Sequence, residues 1–163
     1  MNQNAVKTFD VVIQATGKAV GKMRNEVTVV LGNDGGTFEM ATDEGPMHGG
    51  ESSAPPPLTY FATGLTACLM TQIRAFSKRL KIPINDVSVV AKCHWRGTMI
   101  PGEPYETEPI EFDLDIEIDS DADLNDLTHL ISTAKKGCFI EQTLGRSNTI
   151  GHRLKYQNKW LKI

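Results

Sequence analysis

The sequence contains few cysteines, and none of them has the spacing of a metal ligand. Only three occur among 163 residues, at positions 68, 93 and 138, and no Cys-x-x-Cys pair is present. The four histidines are scattered, without His-x-His or His-Glu-x-x-His spacing. Structural zinc sites are built from such closely spaced ligands. A structural zinc site is therefore not expected.

Several motifs of enzymes, targeting segments and membrane proteins are also missing. Residues 17–22 match a glycine-rich phosphate loop only in part, because no Ser or Thr follows the lysine. A Gly-x-Ser-x-Gly elbow for a hydrolytic serine is absent. The chain has neither an apolar N-terminal leader nor an apolar run of membrane-spanning length. We therefore expect a cytoplasmic protein that binds no cofactor and no membrane.

Charge and composition indicate an ordinary globular protein. The formal net charge is −3, hydrophobic residues make up 40% of the chain and charged residues 23%. This balance argues against nucleic acid or an anionic membrane surface as a partner. A length of 163 residues suits one compact domain with its own core, so we expect a single domain over residues 1–163.

Alternating apolar residues predict six strands, at residues 9–16, 26–31, 37–40, 87–95, 110–119 and 149–155. Glycine-rich residues 32–36 predict a hairpin between the second and third strands. In the fifth strand, apolar side chains alternate with acidic ones without an error. Side chains two apart on a flat strand diverge, so we expect a solvated acidic face and not a metal site. Such two-sided strands are typical of antiparallel sheets.

Helical periodicity predicts two main helices. Residues 58–80 are apolar on most of their circumference, as in a central helix, and the preceding residues 42–57 form a loop or a mobile linker. A second helix over residues 124–136 follows a capping aspartate, either Asp121 or Asp123. This order of elements predicts an α+β domain. One domain cannot cover the central helix alone, so we expect a homodimer whose subunits share the core.

Cys68 lies inside the apolar central helix, which shelters its thiol. A free cysteine in such a place is commonly a small core residue, and apolar surroundings raise the pKa of a thiol. A reactive role therefore requires a cation brought in by folding, for which Arg24 and Arg74 are candidates. Cys93 shares the apolar side of its strand and is expected to pack in the core.

Cys138 has the more favourable local sequence for a reactive thiol. It follows Lys135, Lys136 and Gly137, and a helical turn over residues 139–144 would stabilise its thiolate. The alternative is that the lysines only complement the end of the preceding helix, which Gly137 stops, while the thiol is inert. In a reducing compartment a structural disulfide is unusual, so two such thiols suggest a disulfide that closes and reopens.

The chain resembles the OsmC/Ohr family of thiol-dependent peroxidases in two motifs and in their spacing. The first is residues 54–58, Ala-Pro-Pro-Pro-Leu, which lead into a helix that contains Thr-Ala-Cys at residues 66–68. The second is Cys-Phe-Ile-Glu-Gln-Thr-Leu at residues 138–144. The order and spacing of elements agree across roughly residues 8–156.

The resemblance implies an OsmC-like fold, with antiparallel sheets wrapped around long central helices in an intertwined homodimer. It implies that Cys68 attacks the peroxide and becomes a sulfenic acid, which Cys138 resolves to a disulfide that an external dithiol reduces. The family's activating arginine comes from the N-terminal sheet region, where Arg24 is the arginine available. Local sequence alone favours Cys138 as the activated thiol, but we follow the family pattern.

One departure from the family pattern concerns a carboxylate. Active members have a glutamate just after the proline that opens the central helix, paired with the arginine. This chain has Leu58 and Thr59 there, and Glu51 is the nearest acid.

We expect a peroxidase that reduces organic hydroperoxides. The alternative is a protein of the same fold, without peroxidase activity, that binds a small apolar ligand or senses redox state at the dimer interface.

Overall fold

The computed structural model describes residues 6–32 and 35–163. The chain divides into two compact units, one ending at Phe61 and the other comprising Ala62–Ile163. A single domain over residues 1–163 stays a prediction. The strands pair antiparallel and combine with helices, so the α+β class is confirmed. None of the helices in the described ranges is long and apolar enough to cross a membrane.

A three-stranded antiparallel sheet forms the N-terminal unit, in the order β1 (Ile13–Val20), β2 (Arg24–Leu31) and β3 (Gly36–Thr42). The strand predicted at residues 9–16 begins four residues later, because its pairing with β2 starts at Ile13 and continues to Val20. Most of the partial phosphate-loop match is thus strand, followed by a turn at Gly21, whose φ is 69°. The predicted pairing of β2 with β3 is confirmed, and turn residues 33–34 lie outside the described residues.

One face of this sheet is apolar and exposed. Val29 pairs with Phe38 and Val27 with Met40, which places these four side chains on the same face. Phe38 is 53% exposed. Among the described residues of the N-terminal unit, Asp43 is the only buried one. Within the described residues of the N-terminal unit, this apolar face therefore has no cover.

The segment predicted as a loop or mobile linker is a folded loop closed on one carboxylate. Asp43 is 2% exposed. Its carboxylate accepts hydrogen bonds from the backbone N–H groups of Glu44, Glu51 and Ser53, at 2.9, 3.2 and 2.9 Å. A side chain at Gly50 would overlap the carbonyl oxygen of Glu44, so the chain can approach this closely only with glycine there. Hydrogen bonds to Asp43 therefore organise the loop.

The remaining elements are α1 (Pro57–Leu80), β4 (Asp86–Thr98), β5 (Glu106–Asp119), α2 (Leu124–Gly137), α3 (Phe139–Leu144), β6 (Arg153–Tyr156) and β7 (Lys159–Lys162). The two predicted helices and the strands predicted at residues 87–95 and 110–119 are confirmed within a few residues at their ends. The acidic side chains of β5 are exposed, and no cluster of possible metal ligands occurs in the part of the chain that the structure describes. Asp123 is the cap of α2, because it accepts the N–H of Asp126 at 2.9 Å.

The prediction of one strand at residues 149–155 is wrong. The strand β6 begins at Arg153 and forms a hairpin with β7. Gln157 and Asn158 make the two-residue turn, with φ of 45° and 64°. Each strand has only four residues, which is too short for a periodic signal in the sequence.

The core of the C-terminal unit lies between α1, α2 and the strand β4. The helix α1 buries Leu65, Leu69, Ile73 and Ser77, one residue per turn, and so presents one buried stripe. Leu69 and Ile73 join a cluster with Leu130 of α2 and Val87 of β4. Burying each large apolar side chain contributes about 1.5–3 kcal/mol to folding.

We predict that Leu130→Ala lowers the free energy of unfolding by about 2–5 kcal/mol, because it leaves a cavity in this cluster. Leu130 is 0% exposed, whereas Leu124 on the same helix is 79% exposed. Leu124→Ala is the matched control and should change stability by less than about 0.5 kcal/mol. Urea denaturation at one fixed protein concentration measures both. Equal losses in the two variants would contradict this core.

Candidate active site

Cys68 and Cys138, seventy positions apart in the sequence, lie side by side in the C-terminal unit. Cys68 is half-buried on α1, and Cys138 is fully buried at the junction of α2 and α3. The two side chains are within hydrogen-bonding reach of each other. Both are free thiols. The geometry thus brings together the two cysteines that the sequence analysis singled out.

Two glycines allow the helices that bear these thiols to approach closely. A Cβ at Gly64, one turn before Cys68 on α1, would lie 3.1 Å from Cδ1 of Ile140 on α3. A Cβ at Gly137 would lie 2.5 Å from the ring of Phe76 on α1. Gly137 was expected to stop α2, but it is the last residue of the helix. Its role is to admit the neighbouring ring.

The thiol of Cys138 does not have the low pKa that its local sequence favours. The pKa of Cys138 is raised to about 11, and burial is the largest cause. The hydrogen bond and charge of Cys68 also raise this pKa, whereas the N–H groups of Glu141 and Ile140 lower it. Lys135 and Lys136 are exposed, so solvent screens their charge. The prediction considered charge and helix geometry but not burial, and burial is the larger effect.

Glu141 is a buried acid next to this pair that sequence reasoning did not single out. Its Oε2 atom is buried and has no hydrogen-bond partner in residues 6–32 and 35–163. Burial raises the pKa of Glu141, and the nearby charge of Lys135 lowers it by less. The only sequence signal was an acid one helical turn after Cys138.

Cys93 is separate from the thiol pair. It is half-buried on the inward side of β4, opposite Phe112 of β5, and burial raises its pKa. Phe112 also packs edge to face against Trp95, with ring centres 5.3 Å apart. This environment agrees with the expected packing role.

Arg24, the first candidate cation, is part of a hydrogen-bonded network in the N-terminal unit. Its Nη1 donates to the carbonyl oxygen of Ser53 at 3.1 Å and to the hydroxyl oxygen of Ser53 at 3.0 Å. Nε and Nη2 each lie 3.4 Å from Oε1 of Glu26. Glu51 instead pairs with Lys22 at 3.0 Å. The guanidinium is therefore oriented without an acid at position 58.

Arg74, the second candidate cation, lies in a different environment. It is exposed on α1 and lines a cavity of about 760 Å³ with Ser77, Lys78 and Lys81 near the end of that helix. Neither Cys68 nor Cys138 lines this cavity. The cavity that Arg74 lines is therefore separate from the two thiols.

The buried state of Cys138 predicts slow alkylation in the native protein. At pH 8, a thiol with a pKa of about 11 ionises about 100-fold less than one at the ordinary 9.0. Iodoacetamide should therefore label native Cys138 at least about 100-fold more slowly than the same residue in urea-unfolded chain, as read by peptide mass spectrometry. Equal rates would contradict the assignment.

The raised pKa of Cys138 also makes the free energy of unfolding depend on pH. The thiol ionises at lower pH in the unfolded chain than in the folded one, so the stability that it contributes falls as pH rises from about 9 towards 11.

Comparison with known proteins places these features in a family. The model of the family described as OsmC-like protein matches residues 49–153. An OsmC-like hydroperoxide resistance protein from Jannaschia sp. CCS1 is 47% identical, with a TM-score of 0.65, over 94% of this chain and 98% of that chain. A comparison with curated proteins found no match.

More distant structures share the fold. An organic hydroperoxide resistance protein from Elizabethkingia anophelis is 24% identical, with a TM-score of 0.60, over 85% of this chain and 90% of that one. An organic hydroperoxide resistance protein OsmC from Legionella pneumophila is 22% identical, with a TM-score of 0.58, over 85% and 91%. The family model and the Jannaschia structure establish that the chain belongs to the OsmC-like family.

Proposed function

We propose that the chain is a thiol-dependent peroxidase that reduces organic hydroperoxides through a dithiol–disulfide cycle of Cys68 and Cys138. The observation that supports this most directly is the contact between these two side chains. A disulfide requires the two sulfurs to come within bonding distance, and two thiols already within hydrogen-bonding reach are close to that arrangement. The relative from Jannaschia is named a hydroperoxide resistance protein, which agrees with this chemistry.

In the first step, the Cys68 thiolate attacks an oxygen of the hydroperoxide. The O–O bond breaks, the sulfur becomes a sulfenic acid, and the departing alkoxide takes a proton and leaves as an alcohol. A positive group is needed to keep the sulfur ionised and to stabilise the departing oxygen. We assign this role to Arg24, whose guanidinium the surrounding network already orients.

In the second step, Cys138 resolves the sulfenic acid. Its sulfur attacks the oxidised sulfur of Cys68, a disulfide forms, and hydroxide leaves as water with the proton that Cys138 loses. The charge of Cys68 helps to keep Cys138 protonated in the reduced protein. That charge disappears once Cys68 is a neutral sulfenic acid. Cys138 therefore becomes easier to ionise only after peroxide has reacted.

An external dithiol completes the cycle by donating two electrons and two protons to the disulfide. Such a cycle suits a reducing compartment such as the cytoplasm, where reductants for disulfides are present. Leu65 and Leu69 flank Cys68 on α1 and make its surroundings apolar. These surroundings favour an organic hydroperoxide over hydrogen peroxide.

The competing proposal is a protein of the same fold whose thiols do not turn over peroxide. The complete burial of Cys138 favours it, since buried cysteines are often packing residues. In that case the protein would bind a small apolar ligand or sense redox state. The two proposals differ in whether both thiols change together when peroxide is added.

We predict that a slight excess of cumene hydroperoxide lowers the intact mass of the reduced protein by two hydrogens per chain, about 2 Da. The Cys138→Ser variant should not show this loss, and it should instead gain oxygen at Cys68. A dithiol should restore the original mass of the wild-type protein. The mass change is measured by intact-protein mass spectrometry.

The Cys93→Ser variant is the matched control for this experiment. It should lose two hydrogens like the wild type, because Cys93 lies outside the thiol pair. Cys68→Ala should abolish peroxide consumption. If that variant consumes peroxide at the wild-type rate, the proposed function is wrong.

We also propose that the protein is a homodimer in which a partner covers the apolar face of the N-terminal sheet. Ile13 and Phe38 on this face are 58% and 53% exposed in the single chain. Contiguous apolar surface of this kind on a folded unit marks an interface. A second copy of the chain, which the resemblance to the family implies, would have the same exposed apolar face to cover.

This proposal predicts a sedimentation-equilibrium mass of twice the 17.9 kDa of one chain. Phe38→Glu should shift the protein towards monomer, because it places a charge on the apolar face. Thr37→Glu is the control, since the preceding residue of β3 points to the opposite, polar face. A wild-type mass of 17.9 kDa at micromolar concentration would contradict the dimer.

A further inference from the structure

The C-terminal end of α1 and the loop that follows it border the cavity of about 760 Å³ that Arg74 lines. Three cations, Arg74, Lys78 and Lys81, lie on its wall against one carboxylate, Asp86. The whole chain has a net charge of −3, so positive charge is concentrated here. In the residues that the structure describes, none of these four side chains takes part in an ion pair. The field in the cavity therefore favours an anionic ligand.

The position of Arg74 shows that these cations do more than complement the helix dipole. The helix α1 ends at Leu80, and the effect of the dipole falls off within the last turn. Arg74 lies more than one turn before that end. Arg74 and Lys78 also occupy i and i+4 positions, a spacing at which like charges destabilise a helix. A bound anion would offset this repulsion.

Ser77 places a hydroxyl without a partner on the cavity wall. It is 6% exposed and continues the buried stripe of α1, in which Leu69 and Ile73 occupy the preceding turns. Its hydroxyl makes no hydrogen bond within residues 6–32 and 35–163, whereas Thr66 and Thr71 on the same helix bond to the carbonyl oxygen of the previous turn. Buried polar groups normally have a partner, so the hydroxyl is available to a ligand in the cavity.

Lys81 has a backbone conformation that usually belongs to glycine. Its φ is 57°, in the left-handed region, and the N–H of Ile82 donates to the carbonyl oxygen of Ser77 at 3.0 Å, which closes the end of the helix. Glycine is favoured at such a helix end because a Cβ is unfavourable there. Lysine is the less stable choice for the backbone, but it adds a charge to the cavity wall.

Hydrogen bonds from the end of the β5 region hold the loop that forms the opposite wall. The N–H of Asn85 donates to the carbonyl oxygen of Asp119 at 2.8 Å. The hydroxyl of Ser120 donates to the carbonyl oxygen of Pro83 at 2.5 Å. The loop is thus fixed at two points, and the cavity is formed before any ligand enters.

The rest of the wall is largely apolar. It includes the side chains of Met70, Ile82, Ile84 and Val87. Ligand cavities commonly combine such a lining with a few polar groups that fix orientation, and volumes of about 300–1,000 Å³ are typical. A ligand that matches both parts of this wall has an anionic end and an apolar end.

We propose that this cavity binds an organic phosphate, namely a phosphate monoester with an apolar substituent. Such a group carries about 1.5–2 negative charges near pH 7 and presents three acceptor oxygens. Arg74 can bind it through two parallel N–H groups, and Lys78 and Lys81 add point charges. The hydroxyl of Ser77 supplies a further donor. The inference goes beyond the proposed function, since neither thiol of the reactive pair lines the cavity.

The test is isothermal titration of octyl phosphate into the full-length, reduced protein. Octyl phosphate should bind with about tenfold higher affinity than inorganic phosphate or octanol, because each of these compounds matches only one part of the wall. Raising the salt concentration should weaken binding, since salt screens charges that solvent reaches. If octyl phosphate does not bind, or if either of the other two compounds binds as tightly, the inference is wrong.

Variants of two arginines on the same helix provide a matched comparison. Arg74→Gln should weaken binding about tenfold, because it removes hydrogen bonds from a charged donor. Arg79→Gln is the control and should leave the affinity unchanged, since Arg79 is exposed in the last turn of α1 but does not line the cavity. Ser77→Ala should weaken binding about threefold. An unchanged affinity in Arg74→Gln, or an equal loss in Arg79→Gln, overturns the site.

Methionine methyl signals locate the bound ligand. Met70 lines the cavity, whereas Met40 lies on the apolar face of the N-terminal sheet. In NMR spectra of protein with isotope-labelled methionine methyl groups, octyl phosphate should shift the Met70 signal and leave the Met40 signal in place. A shift of Met40 without one of Met70 would mean that the octyl chain binds the sheet, and it would overturn the inference. The peroxide experiments depend on the two thiols alone, so a failure here leaves the proposed function standing.

Discussion

The contact between the thiols of Cys68 and Cys138 depends on how closely α1 can approach the junction of α2 and α3. Gly64 lies on α1 and Gly137 ends α2. A larger side chain at Gly64 would press against Ile140, and one at Gly137 would overlap the ring of Phe76. The close packing has an electrostatic consequence, because it buries Cys138 and keeps it protonated. The same packing that brings the sulfurs together thus also raises the pKa of Cys138.

The elements with long periodic patterns could be predicted from the sequence. The helix α1 and the strand β5 have 24 and 14 residues, enough for the spacing of apolar residues to identify the type of both elements and the exposed face of β5. The start of β1 could not be predicted from the sequence, because residues 9–12 continue the apolar pattern of the strand. Only the pairing with β2 shows that the sheet begins at Ile13. The C-terminal hairpin was missed since its strands are too short.

The candidate site also has some features that the sequence predicts and others that it does not. Family motifs identified Cys68 and Cys138, and the structure brings them together, whereas local charge gave the wrong chemical state for Cys138. Burial depends on how the whole chain packs, so it could not be predicted from the lysines that precede Cys138 in the sequence. The link from Asp43 through Ser53 to Arg24 joins residues up to 29 positions apart. No spacing rule connects an aspartate, a serine and an arginine that meet only through a loop.

The lowered pKa of Asp43 has a consequence for behaviour in acid. A carboxyl whose folded pKa is below its ordinary value stabilises the fold at and above that ordinary value, and this support is lost only as pH falls through the lowered pKa. Acidification to the ordinary titration range of an aspartate would therefore leave the loop around Asp43 folded, together with the hydrogen bonds from Arg24 to Ser53.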